Sequence, residues 1–139
     1  MTRLYSSREV CRLTGCSYRQ LDYWCRVGTI TPVRPAMGSG SSRGFSFPQV
    51  VACLALVRLA SAFLGSEGEL VMNVVEMVEQ DIPERYLLIN SLVMHRSNVI
   101  SPIPFLSTGV VTVVDVEWMR HDVDKAVKAL VPPDDEKAS

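Results

Sequence analysis

"SYRQLDYWCRVGTITP", Ser17 to Pro32, is the stretch on which the reading of this chain turns. Ser17-Tyr18-Arg19-Gln20 has the capping-box form, in which a serine oxygen accepts from an orphan helix N–H and the residue three places on reaches back to the serine's own N–H. Gly28 is placed to end the helix that starts there, because glycine adopts the left-handed backbone of a helix terminus at little cost. At roughly 100° per residue, Leu21, Trp24 and Cys25 share one face of this helix. Arg19, Tyr23 and Arg26 point the other way.

The same punctuation recurs on the N-terminal side. Ser6-Ser7-Arg8-Glu9 is a second capping box, so a helix is expected from about Ser7 to Thr14, with Gly15 allowing a tight turn. Its Val10 and Leu13 are expected to cover Leu21, Trp24 and Cys25. Two short helices joined this closely form a helix-turn-helix unit, whose second helix can offer its polar face to a DNA major groove.

On the C-terminal side, Thr29 to Arg34 reads as a short strand, Pro35-Ala-Met-Gly-Ser-Gly-Ser-Ser as a flexible tip and Arg43-Gly-Phe-Ser-Phe as a returning strand, with Phe45 and Phe47 near the core. This is a wing. Its Gly38-Ser39-Gly40 tip lacks the preceding apolar strand and the Gly-Lys-Ser/Thr ending of a nucleotide-binding loop. The flanking Arg34 and Arg43 are expected to reach along a DNA backbone instead. Ser46-Phe-Pro-Gln49 makes a third capping box and opens an apolar helix to about Leu64, with Val50, Leu54, Val57 and Leu64 covering the first two helices.

Taken together, the turn, the Ser-Tyr-Arg-Gln-Leu helix start, the Tyr23-Trp24 pair, Arg26-Val-Gly-Thr-Ile-Thr-Pro, the Arg43-Gly-Phe-Ser wing exit and the following apolar helix resemble the DNA-binding domain of the MerR family, over about residues 3 to 62. The resemblance implies a winged helix-turn-helix that binds double-stranded DNA. It places Ser17, Tyr18 and Arg19 at the start of the recognition helix in the major groove, Tyr23 and Arg26 on phosphates, and Arg34 and Arg43 on the backbone from the wing. Asp22 departs from it, standing where the family more often has arginine. A carboxylate cannot hold a phosphate, so Asp22 is expected to form an ion pair with Arg19 or Arg26, ahead of accepting from a cytosine amine or facing water.

Charge is divided along the chain. Residues 1 to 64 hold eight arginines against Glu9 and Asp22, a net +6, whereas residues 65 to 139 carry a net -7. The first half is therefore suited to a polyanion and the second is not. No apolar run is long enough for a bilayer, the longest being broken by Arg58, and no signal-peptide pattern opens the chain, so no membrane association and a cytoplasmic location are expected.

In the second half, Ser66-Glu-Gly-Glu69 suggests a fourth capping box, opening a helix that Asp81-Ile82-Pro83 ends. Tyr86 to Ile89 and Val110 to Val114 are β-rich, with a weaker candidate at Leu92 to Met94 or Asn98 to Ile100. Ser101-Pro-Ile-Pro-Phe reads as a loop, and His95 falls in a turn. A last helix from about Glu117 to Leu130 puts Met119, Val123, Ala126, Val127 and Leu130 on one face, and His121 beside Asp122 on its surface. Many MerR-like chains instead continue into a long coiled-coil helix, and their metal sensors carry cysteines at its far end. Here the cysteines stop at Cys53.

Cys11, Cys16, Cys25 and Cys53 form no Cys-x-x-Cys pair and read as small buried thiols, with no metal or cofactor expected. No nucleophile triad or carboxylate pair suggests catalysis; Asp115 and Glu117 read as a helix start. If the second half held a ligand, Trp118, Tyr86 and Phe105 would line it. The expected architecture is α+β: a winged helix-turn-helix at 1–64, a small α/β lobe at 65–131 for dimerisation or interaction, and a disordered acidic tail at 132–139. The expected function is a sequence-specific DNA-binding homodimer that regulates transcription from a two-half-site operator, with the acidic lobe open to a protein partner. The alternative is an architectural factor of the excisionase type, which bends DNA for a recombinase.

Overall fold

The computed structural model describes residues 3–36, 43–59, 67–80, 82–89, 94–98 and 112–130. The wing tip around Gly38-Ser39-Gly40, Ser66, the 101–105 loop with Phe105, and the acidic tail lie outside these residues. The fold is α+β, with the element order β1 (Tyr5–Ser6), α1 (Ser7–Thr14), α2 (Tyr18–Arg26), β2 (Gly44–Phe45), α3 (Phe47–Leu59), α4 (Glu67–Glu79), β3 (Tyr86–Ile89), β4 (Met94–Ser97), β5 (Thr112–Asp115) and α5 (Val116–Ala129).

The capping boxes act as the sequence suggests. Ser6 accepts from the Glu9 N–H while the Glu9 carboxylate accepts from the Ser6 N–H, and Ser17 and Gln20 repeat the exchange at 3.0 and 2.9 Å. Ser46 and Gln49 do so for α3. Gly15, with φ of 80°, closes α1 by donating to the Cys11 carbonyl at 2.9 Å. Thr14 fixes the turn further: its hydroxyl donates to the Val10 carbonyl and accepts from the Cys16 N–H. The two helices are thereby set by a short connection in which the Gly15, Cys16 and Ser17 N–H groups all have acceptors.

α3 is the hub. Val50 to Leu56 are buried without interruption, so this helix has no solvent stripe and must be covered on every side. α1 covers part of it, α4 a larger part, and α5 another, and Arg58 of α3 bonds Asp122 of α5 at 2.8 Å. One continuous core consequently runs from Leu21, Trp24 and Phe45 through α3 to Leu70, Val74, Leu87, Val114 and Val123. In the second half, α4 and α5 pack on α3, and α5 also packs on α1.

Among the described residues there are two small antiparallel sheets, one pairing β1 with β2 and one in the order β4-β3-β5. Three local expectations change. Thr29 to Arg34 forms no strand beyond a single bridge of Arg34 to Gly44; Pro32 has no N–H to contribute to a ladder. β2 instead pairs with Tyr5 and Ser6. The weak strand falls at Met94–Ser97, between the two expected positions, and takes His95 out of a turn and into pairing with Leu88. β3 and α5 fall where their β-rich and helical patterns put them.

Candidate nucleic-acid interface

α2 has two chemically opposed sides. Leu21 and Trp24 are buried and Cys25 is partly so, while Ser17, Tyr18, Arg19, Gln20, Tyr23 and Arg26 are exposed. Tyr18 is 63% and Tyr23 49% exposed. The Arg26 guanidinium lies 5.7 Å from the Tyr23 ring centroid, so the two form one cationic aromatic unit. Arg19 makes no ion pair with any described residue. Beyond α2 the chain turns at Gly28, whose φ is 85°, and is anchored by the buried Ile30, whose N–H donates to the Trp24 carbonyl.

The base of the wing stands beside α2. Arg34 and Gly44 exchange backbone hydrogen bonds of 3.0 and 2.8 Å, and Gln49 of α3 donates to the Thr31 carbonyl at 2.6 Å, tying the outgoing limb to the core. Gly44 has a steric reason: a Cβ there would stand 3.0 Å from Leu4 Cδ1 and 3.1 Å from Arg34 Cβ. Arg34 is exposed at this base.

Arg43 is placed otherwise. Its side chain is only 20% exposed and donates to the Asp22 carboxylate at 3.0 Å, while Arg26 sits 3.9 Å from the same carboxylate with 67% of its side chain exposed. The ion pair expected of Asp22 is thus made chiefly with Arg43, a partner 21 residues away that helical spacing could not reveal. Local periodicity also gives no sign of the exposed Val27 and Val33 near this surface, or of what Arg8 and Arg12 do. Both arginines are exposed on α1 without an ion pair to any described residue, and their i,i+4 spacing was a readable signal of a cationic stripe.

The thiols lie beneath the surface. Cys16 and Cys53 are buried, Cys11 and Cys25 partly so, and the Cys16 thiol contacts the Cys11 sulfur at 3.8 Å. Burial pushes the Cys11 thiol up to about 11 and also raises Cys25 and Cys53.

In the second half, Asp115 caps α5 by accepting from the Trp118 N–H and receives a two-pronged bond from Arg85, each prong 2.9 Å. Its partial burial works to raise its pKa, but these donors outweigh that and lower it; Arg120 likewise lowers Glu117. Trp118 is exposed, and Tyr86 lies under Arg85, 5.3 Å from its guanidinium. An open groove of about 410 Å³ runs instead between Met77, Ile82, Glu117 and Arg120.

Residues 5–62 match the model of the family described as MerR HTH family regulatory protein, and this segment is a MerR-type helix-turn-helix domain. Fifty-six residues, 40% of the chain, are 41% identical to uncharacterised HTH-type transcriptional regulators of Mycobacterium bovis and Mycobacterium tuberculosis. The chain spans about a quarter of the length of these curated relatives, 25% in each case. No helix among the described residues is long and apolar enough to cross a membrane.

Proposed function

We propose that this chain is a sequence-specific double-stranded DNA-binding regulator of transcription. α2 enters the major groove, presenting Ser17, Tyr18 and Arg19 to base edges at its N-terminal end, where a recognition helix makes its base contacts. Tyr23, Arg26 and Arg34 lie along the flanking phosphates. Phosphate contacts set position and base contacts set sequence, so Arg19 carries the specificity.

The observation that carries this reading is the outward face of α2. It holds two large exposed aromatics and an arginine tied to no described carboxylate, on a helix whose opposite face is locked into the core. Together they set hydrogen-bonding phenols beside a cation, groups that suit base edges and phosphates. The relatives' description as HTH-type transcriptional regulators supports the same reading.

We further propose that two copies read two half-sites, held by the α/β lobe. A single winged helix neutralises few phosphates, and symmetric pairing adds affinity through effective concentration. The test is selection of duplex fragments from a random pool by the full chain, followed by titration on the selected site. Inserting about five base pairs between half-sites, half a helical turn, abolishes most of the gain, and about ten restores part of it. Failure to enrich any duplex sequence would remove the reading. Indifference to spacing by a monomer would remove the paired one alone.

A further inference from the structure

We propose that Asp22 and Arg43 form a latch that fixes the wing to the recognition helix, so that Arg43 is a positioning residue and not a phosphate contact. The inference rests on the reading that α2 and the wing together grip duplex DNA. It reassigns Arg43, whose place at the wing exit suggests a backbone contact.

Arg43 cannot choose its direction freely. Gly44 is held on both backbone groups by Arg34, would crowd Leu4 and Arg34 with any Cβ, and is followed by Phe45, which is fully buried and paired with Tyr5. With the backbone so fixed at the next two residues, the Arg43 side chain lies back over α2, four-fifths covered, and meets Asp22 at 3.0 Å. Its charge also reaches Cys25, one helical turn from Asp22 on the same helix. The carboxylate is thereby shared unequally. Arg43 takes the inner oxygen closely, while Arg26 stands 3.9 Å from the other and remains two-thirds exposed. Arg26 is available to a phosphate; Arg43 is spent inside the protein.

The latch joins α2 to the residue that leads into β2, 21 positions further along the chain. An arginine in Asp22's place would repel Arg43 and release the wing base, so the carboxylate and the inward arginine explain each other. Without Asp22, Arg43 would be a cation held against a thiol with no counter-charge, and turning outward would bring it within reach of DNA. Losing the carboxylate is therefore expected to increase indiscriminate binding while decreasing selectivity.

The experiment uses the full chain with Asp22→Asn, Arg43→Gln, the double variant and Arg26→Gln. In the free protein, amide exchange at Arg34 and Gly44 reports the wing base. Both latch variants should speed it by roughly twofold to fivefold, the range expected of one part-exposed ion pair. The double variant should match the singles, because the two changes remove one interaction. Unchanged exchange in Asp22→Asn and Arg43→Gln would overturn the latch.

On DNA, Arg26→Gln should flatten the log-log salt dependence by about 0.9, the loss of one phosphate contact. Arg43→Gln should lower affinity for the selected site without that flattening, and Asp22→Asn should steepen the dependence on random duplex. Flattening by Arg43→Gln equal to that of Arg26→Gln would overturn the positioning role. Absence of any duplex binding by the wild type would defeat the functional reading, while the exchange measurement still decides the latch.

Discussion

Replacing Arg19 with alanine separates recognition from folding more cleanly than any other change to this surface. The side chain is exposed on the first turn of α2 and forms no ion pair with a described residue. Alanine is as good a helix former as arginine, so unfolding free energy should move by no more than about 0.5 kcal/mol. A base-edge contact from an arginine is worth about 1 to 3 kcal/mol. At 1.4 kcal/mol per decade, that corresponds to a loss of roughly fivefold to 150-fold in affinity for the selected site. Random duplex, where no base is read, should lose much less. Fluorescence titration of wild type and variant on both duplexes, with thermal melts of each protein, supplies the numbers. Equal loss on selected and random DNA, or a salt dependence flattened by about 0.9, would show Arg19 on a phosphate and refute the assignment.

Asp115 and Glu117 titrate below their ordinary values of 3.8 and 4.5, so the stability they contribute is full above those values and lost as pH falls through the lower, folded-state ones. Denaturant melts at pH 7 and about pH 3 should show an acid-induced loss that Asp115→Asn reduces. With its thiol raised to about 11, Cys11 carries on the order of 100-fold less thiolate at neutral pH than a free cysteine, and native alkylation followed by mass spectrometry should find it nearly unreactive until the protein is unfolded. A fragment ending at residue 64 should fail to fold, because it uncovers α3 where α4 and α5 pack. Re-exposing four Val or Leu side chains costs about 6 kcal/mol or more, comparable with the whole stability of a small domain, and circular dichroism melts of the fragment check this.

That last expectation bears on the boundary at residue 64, where the sequence suggests that a winged helix-turn-helix ends and a separate lobe begins. Reading α3 as a cover for the first two helices was correct as far as it went, but its unbroken run from Val50 to Leu56 shows burial on all sides, and periodicity cannot say what lies on the far side. The caps at Ser6, Ser17 and Ser46 and the faces of α2 were legible because a helix writes its ends and its core stripe into neighbouring residues. The pairing of Tyr5 with Phe45 was not, since a two-residue strand has no pattern to read. Likewise the exposed residues of α2 could be named from spacing, whereas the inward turn of Arg43 depends on a contact between distant parts of the chain. His95 was misplaced because Met94-His95-Arg96-Ser97 has almost no β propensity of its own and becomes a strand by pairing with the strongly apolar β3.

The outward face of α2 and the base of the wing are proposed as the surface that meets duplex DNA. Residue-resolved amide exchange of the full chain, free and saturated with the selected duplex, tests it most directly. Exchange should slow through Ser17 to Arg26 and at Arg34 and Gly44, with the helix Val116–Ala129 unaffected on its solvent side. Protection confined to α4, α5 and the β4-β3-β5 sheet, with α2 unchanged, would contradict it.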